Sequence, residues 1–374
     1  MDIIEVNHSD KRQIKQFLDL PFRLYSDVSA WVPPLEPDAK LILNPRQHPF
    51  YSHGRAVFYL AFEKNQPIGR LAVLENDNYN QYNHQRTAFF YLFECENNSA
   101  ASSAMFEAAF DWARKRGLDR IEGPRGFTVF DGLGMLVCGF EHRPAFGLPY
   151  NLPYYPRFVD AAGFGSKIEL VSGYLDRDMQ FPEKIHRAAD LIKIRRGLRV
   201  TCYKTRQELR ALTPYLKDLF NASIVPGEDN IPLTDDDVQA LASQMMWFAD
   251  PKLIKIVMKE DKPVGFLFAY PDISQAIQRV RGRVYPFGWM TLLIERWKTK
   301  CININGAGML PGNRGIGGMA ILFDEMHKSV LESRYRFAEI VQIGVENSNM
   351  QREMRDLGIN FHKTHRVYEK RLLD

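Results

Sequence analysis

The chain predicts an α+β fold made of two copies of one unit in tandem, each a mixed, mostly antiparallel sheet flanked by helices. Three observations carry this. A β-hairpin pattern occurs twice, at 57–73 and 253–268, and its glycines Gly69 and Gly265 stand 196 positions apart. A helix end followed by glycine also occurs twice, at Asp160-Ala161-Ala162-Gly163-Phe164 and Arg355-Asp356-Leu357-Gly358-Ile359, 195 positions apart. Each copy carries a further helix and strand between these landmarks. Two matches at nearly one offset indicate duplication, and 374 residues suit about two domains. The expected boundaries are 1–174 for the first copy, 175–197 for a helical connector and 198–374 for the second copy.

The elements follow in order. In the first hairpin, apolar alternation flanks Gln66-Pro67-Ile68-Gly69, read as the turn. Asn98 or Ser99 caps a helix from Ala100 to Arg116, whose apolar face includes Ala104, Phe106, Ala109 and Phe110. Gly117 stops it, and a strand Asp119–Gly123 comes next. The first copy then inserts Pro124–Pro153, rich in glycine, proline and aromatics. Leu175–Gly197 reads as a helix whose cations Lys193, Arg195 and Arg196 form a solvated face. The second copy inserts Ser274–Lys300, read like the first insertion as a substrate-shaping loop. A strand Cys301–Asn305, a helix from about Ile316 to Ser333 and a strand Phe337–Val345 complete it.

The chemistry concentrates in Pro311-Gly312-Asn313-Arg314-Gly315-Ile316-Gly317-Gly318. A strand, a glycine-rich turn and a helix start point several backbone N–H groups at one anion, and the helix dipole favours negative charge there. Arg314 adds a cation. A nucleotide-binding Walker loop needs Lys-Ser/Thr after its last glycine, and none follows Gly318. A dinucleotide fingerprint at Gly306-Ala307-Gly308 lacks its third glycine.

From about Leu198 onward the chain resembles the GNAT acyltransferase superfamily, which binds acetyl-CoA or another acyl-CoA. Arg314-Gly315-Ile316-Gly317-Gly318-Met319 follows that family's Arg/Gln-x-x-Gly-x-Gly/Ala loop, except that Met319 stands where Gly or Ala is expected. Glu346-Asn347-Ser348-Asn349-Met350 through Gly358 matches its second signature, an Asn after the fifth strand and then a helix. The resemblance implies two GNAT-like domains. It places the pyrophosphate of acetyl-CoA or another acyl-CoA on Arg314, Gly315, Ile316, Gly317 and Gly318. It places the acyl carbonyl on the backbone of Met309 and Leu310, and the pantetheine arm beside Asn347. The first copy has Phe93-Glu94-Cys95-Glu96-Asn97-Asn98 at the loop position, where two carboxylates repel a pyrophosphate, so it is expected to bind no CoA.

Direct transfer to an amine needs a base, an oxyanion donor and a leaving thiolate. Glu339 or Glu346 is the candidate base. The family's usual Tyr acid falls on Met354, which cannot donate a proton, and Tyr368 or His365 is the substitute candidate. Aromatics at Tyr150–Tyr155 and Tyr285–Trp289 suit a pocket for the acceptor or packing between the copies. The expected activity is N-acyltransfer, most simply N-acetyl transfer, to a small-molecule amine. The alternatives are a CoA- or partner-binding protein without turnover and a Fem-type aminoacyl transferase.

Composition agrees. The chain is 45% hydrophobic and 25% charged, with a net charge of +4 from 49 basic and 45 acidic residues, which suits an anionic substrate without requiring nucleic acid. No apolar run approaches the roughly 18–20 residues of a membrane span, and Met1-Asp2-Ile3-Ile4-Glu5 does not read as a signal peptide. The four cysteines are scattered, without metal-ligand spacing. The expectation is a cytoplasmic protein with no metal, nucleic-acid or membrane partner, compatible with a homodimer.

Overall fold

The computed structural model describes residues 1–128, 131–178, 183–210, 212–224, 230–239 and 249–372. Its strands are β1 (Asp2–Glu5), β2 (Gly54–Glu63), β3 (Gln66–Asn76), β4 (Thr87–Cys95), β5 (Arg120–Gly123), β6 (Met135–Cys138), β7 (Gly165–Asp176), β8 (Leu198–Cys202), β9 (Ile254–Lys259), β10 (Lys262–Pro271), β11 (Cys301–Met309), β12 (Phe337–Gly344) and β13 (Asn360–Arg371). The helices are α1 (Lys11–Leu24), α2 (Glu36–Ile42), α3 (Asp77–Asn83), α4 (Ser99–Lys115), α5 (Tyr155–Ala161), α6 (Glu183–Arg196), α7 (Arg206–Arg210), α8 (Thr213–Ile224), α9 (Ser274–Val280), α10 (Gly288–Lys298), α11 (Gly318–Leu331) and α12 (Ser348–Asp356).

The strands form one sheet in the order β1-β2-β3-β4-β5-β13-β7-β12-β11-β10-β9-β8, with β6 paired to β13. The two halves exchange their last strands. β13, at the end of the chain, pairs with β5 of the N-terminal half, and β7 pairs with β12 of the C-terminal half. β7 and β13 pair with each other at the centre, where His365 lies opposite Leu170. Those two residues are 195 positions apart, the spacing of the repeated helix-end glycines. A pseudo-twofold axis therefore passes between them and relates the halves.

Local chemistry explains the elements. Asn98 accepts from the Ala101 N–H and caps α4, which buries Ala101, Met105, Phe106, Ala109, Phe110 and Ala113 on one face. Its equivalent, α11, buries Ile321, Leu322, Phe323, Met326 and Val330. Each helix covers one apolar face of its half-sheet, giving two separate cores. Each fully buried Phe or Leu contributes roughly 1.5–3 kcal/mol.

Three sequence expectations are corrected. The first hairpin turns at Lys64-Asn65, both with positive φ (48° and 64°), while Gln66–Gly69 lies within β3. Asn tolerates the left-handed region, and the paired strands need that twist. Gly69 serves packing instead, since a Cβ there would stand 2.6 Å from Met105 Cε; Gly265 likewise yields to Met309 Sδ at 2.1 Å. Leu175 belongs to strand β7, and the helix begins at Glu183. The second insertion is no open loop, because it folds into α9 and α10. No helix among the described residues is long and apolar enough to cross a membrane.

Candidate functional site

β11 and β12 are paired in parallel only over Cys301–Ile304 and Phe337–Ile340. Beyond Ile304, β11 carries one extra residue relative to β10, a bulge at Asn305–Gly306 that turns it aside. β12 kinks at Gln342 (φ 54°) and continues along β7. The strands therefore part into a wedge. Leu310 donates its N–H to Val264 O on the β10 side. Strand alternation then turns the Met309 N–H into the wedge, so of Met309 and Leu310 only Met309 presents its N–H there.

The glycine loop forms the mouth of this wedge. Gly315 (φ 72°) and Gly317 (φ 88°) hold left-handed conformations that L side chains resist. Gly315 faces open space, whereas a Cβ on Gly317 would strike Ile192 Cδ1 at 2.2 Å and one on Gly318 would strike Met309 Cε at 2.3 Å. Among the described residues no side chain caps α11, so its first N–H groups are left for another acceptor. Arg314 donates to Met309 O (3.2 Å) and Ser223 O (2.9 Å), tying the loop to the strand end and to α8. Ile316 and Met319 pack their side chains on the core. Ile192 touches Gly317, and the exposed Arg195 and Arg196 follow it within one helical turn. These features fit an acyl-CoA. The uncapped helix start and the nearby cations suit its pyrophosphate. The open lip of β11 suits the peptide-like pantetheine arm, which pairs as an added strand would.

The N-terminal half repeats the geometry and closes it. β4 and β5 are paired only over Thr87–Phe89 and Arg120–Glu122, and β4 carries the same bulge. Cys95 lies opposite Gly69 as Met309 lies opposite Gly265, which makes Cys95 the counterpart of Met309. Its N–H donates to the Tyr155 hydroxyl (2.9 Å), and the Tyr154 hydroxyl donates to its carbonyl (2.8 Å). Tyr155 (2.8 Å) and Tyr25 (2.7 Å) both donate to Glu94, with Arg70 at 3.6 Å. Burial pushes the Glu94 carboxyl up while Arg70 pulls it down. In the C-terminal half the residue 195 positions after Tyr155 is Met350, which has no hydroxyl to plug the wedge. A Tyr155→Phe variant orphans the Cys95 N–H and removes a donor from buried Glu94. Each unsatisfied group costs about 1–3 kcal/mol, so urea denaturation shows a loss of about 3 kcal/mol.

At the apex of the C-terminal wedge, on the face away from α11, lies a buried polar cluster. Glu339 pairs with Lys363 at 2.5 Å and accepts a hydrogen bond from Tyr174. Burial pushes the Glu339 carboxyl up against the pull of Lys363, and burial with the nearby Glu339 carboxylate raises Tyr174. Asn303, fully buried, donates to Asp272 at 3.4 Å, and its Oδ1 has no hydrogen-bond partner among the described residues. The first insertion roofs this cluster: Lys363 donates to Arg143 O (2.9 Å), Phe146 N–H donates to Asp272 (3.3 Å) and Tyr270 donates to Phe146 O (3.1 Å). Lys363, Tyr174, Asp272 and Asn303 escaped sequence reasoning. The available signal was Asn303 and Asn305 alternating with Ile302 and Ile304 along a strand that is otherwise apolar. Among the described residues no group of three His, Cys, Asp or Glu is arranged to hold a metal.

The remaining candidates are dispersed. Glu346 is exposed in the turn that follows β12. Asn347 caps α12 by accepting from the Met350 N–H (3.1 Å), so its side chain is engaged in the fold. Met354 is fully buried in the C-terminal core. Tyr368 lies opposite Gly123 and packs in the N-terminal core, because β13 crosses into that half; this removes it from the C-terminal wedge.

His365, the other substitute considered, is buried at the pseudo-dyad with Nε2 at 3.1 Å from Pro149 O. Burial pushes its imidazole down to about 4. Between its unfolded value of ~6.5 and that level, the unfolded chain takes up a proton that the folded chain refuses, so stability falls as pH drops. Thermal melts from about pH 7 to about pH 4.5 therefore lose more in the parent than in His365→Gln.

No protein-family profile matches the chain. Two curated relatives align nearly end to end. Protein YghO of Escherichia coli (strain K12) is 24% identical over 373 residues, 97% of this chain and 94% of that protein. A bacterial ceramide synthase of Caulobacter vibrioides is 26% identical over 380 residues, 96% of this chain and 95% of that protein. Among solved structures, the tandem GNAT protein from the clavulanic acid biosynthesis pathway superposes with a TM-score of 0.57 at 12% identity, covering 100% of this chain and 99% of that one. A GCN5-related N-acetyltransferase from Sphaerobacter thermophilus gives 0.51 at 12% identity, covering 100% and 96%.

Proposed function

On a tandem GNAT-like fold with one wedge open and its twin plugged, we propose that this protein is an acyl-CoA-dependent N-acyltransferase whose donor binds the C-terminal half alone. The observation that carries the reading is the contrast between Met309 and Cys95. The two backbone positions are equivalent, yet only Cys95 is sealed by tyrosines. The uncapped start of α11 supports it.

In this reading the acyl-CoA supplies the activated carbonyl. The Met309 N–H and the adjoining lip hold the donor in register, and the α11 N-terminus with Arg314 holds its pyrophosphate. Glu339, at the wedge apex, takes the proton from the attacking amine. Its raised carboxyl is better matched to that task than a solvated one. A thiol of ordinary pKa ~8.5 leaves readily as thiolate, so transfer proceeds without a tyrosine at position 354. The four cysteines are unpaired, which suits a reducing compartment such as the cytoplasm.

The relative described as a ceramide synthase supports an amine acceptor, since a ceramide carries an amide on the nitrogen of a long-chain amino alcohol. A small amine and a long-chain amine present the same chemistry at that nitrogen. The test is calorimetry with acetyl-CoA and a long-chain acyl-CoA, followed by mass spectrometry of products from a panel holding both amine classes. Binding at one site per chain with a new amide is the expected result. Binding without product in any arm would leave a CoA-binding protein, and no binding by the folded protein would remove the reading.

A further inference from the structure

The insertion 274–300 packs on the fold along one side and turns large apolar side chains to solvent along the other. Ile273, Ala276, Ile277 and Leu292 form a small core with Val32, Leu35 and Phe146. Gln278 donates to Ser29 O (2.9 Å) and Trp31 O (2.8 Å), and Glu36 N–H donates to Gly282 O (2.9 Å). The element is therefore a fixed platform.

Its outer face is inverted for a protein in water. Phe287, Met290, Ile294 and Trp297 are spaced by three, four and three residues, which places them on one side of α10. They are 73%, 46%, 50% and 67% exposed, and Tyr285 beside them is 75% exposed. The buried side of the same helix holds Leu292 and Glu295. Charge follows the same logic. Within 274–300 stand Arg279, Arg281, Arg283, Arg296, Lys298 and Lys300 against the single carboxylate Glu295, a surplus of five, whereas the whole chain has only +4. Glu295 is taken by Arg279. Arg281, Arg283, Lys298 and Lys300 are exposed and form no ion pair among the described residues.

We infer that this face seats the protein on an anionic lipid bilayer, with the apolar stripe of α10 in the interfacial region and the flanking cations on the headgroups. A helix lying in the interface has this composition: aromatic and aliphatic side chains on one side, Lys and Arg at its borders. Aliphatic Met290 and Ile294 within the stripe favour lipid over nucleic acid, whose bases stack on aromatic rings. The sequence suggested no membrane partner because it offers no spanning segment, but an interfacial helix needs none. α10 precedes the start of β11, whereas the glycine loop follows its end. The bilayer contact and the mouth for a water-soluble donor thus lie at opposite ends of a nine-residue strand, ~30 Å at ~3.3 Å per residue.

The test uses the full chain and two kinds of vesicle, phosphatidylglycerol with phosphatidylcholine in equal parts and phosphatidylcholine alone. The protein is expected to sediment with the first at least tenfold more strongly than with the second, and less as salt rises. A Phe287→Ser/Ile294→Ser/Trp297→Ser variant, altered only at exposed positions, loses at least tenfold in partitioning with an unchanged melt. Arg281→Gln/Arg283→Gln/Lys298→Gln/Lys300→Gln loses the preference for anionic vesicles. As a variant-free readout, brominated lipid quenches tryptophan emission in the parent protein. Failure of the parent to bind vesicles or to be quenched overturns the inference. So does a parent dimer that dissociates in the triple variant without vesicle binding, which would assign the face to a second copy. Binding to single-stranded RNA in place of vesicles overturns it as well.

Discussion

Gly315→Asp weakens acetyl-CoA binding about a hundredfold in calorimetry, close to 3 kcal/mol, while Gly117→Asp leaves it unchanged. The two glycines are matched: both have φ 72°, and a Cβ on either meets nothing within 4 Å among the described residues. Asp tolerates the left-handed region better than most residues, so backbone strain is small and common to both variants. The difference lies in place. Gly117 ends α4 on the plugged half, whereas Gly315 precedes the uncapped start of α11. A carboxylate ~4 Å from a pyrophosphate costs up to ~4 kcal/mol at an effective dielectric constant of ~20, less where solvent screens it. Equal affinity in the two variants would mean that the donor phosphates do not sit on this loop.

Lys363→Ala produces the largest loss of stability expected from a single change. Lys363 and Glu339 have side chains 1% and 2% exposed and pair across β13 and β12. Removing the cation strands a buried carboxylate, which costs about 3–5 kcal/mol. At ~2–4 °C per kcal/mol the melting temperature falls by roughly 10 °C. Glu339→Gln/Lys363→Met removes both charges and regains most of that loss, because an uncharged pair has little to desolvate. Turnover separates the roles of Glu339. If it is the base, the double variant is stable and inactive; if turnover returns with stability, Glu339 only holds the halves together.

The local parts of the fold were legible in the sequence because their causes are local. Asn98 and Gly117 mark the ends of α4 through capping and left-handed backbone, and the glycines at 312–318 mark the turn between β11 and α11. The repeat offset revealed the duplication. What escaped depends on distant partners. β7 and β13 are ordinary twelve-residue strands, and nothing within either says that each completes the other half's sheet. That exchange is why Tyr368 packs far from the wedge and why Lys363 finds Glu339. Helix α10 was misread as a loop because its apolar residues face outward, against the rule that such a stripe marks a core. The plug in the N-terminal wedge rests on Tyr155 meeting Cys95, 60 residues away.

The exchange also sets a timetable for synthesis. β5 emerges from the ribosome with one edge lacking its partner, since β13 is encoded about 250 residues later. At ~5–20 residues per second that edge stays bare for roughly ten seconds to a minute. An unpaired strand edge is an invitation to the wrong chain, and on a crowded polysome the nearest strand with a suitable sequence is β13 of a neighbouring nascent copy. The protein thus completes its first half last, and a chain cut short before β13 leaves that half unfinished.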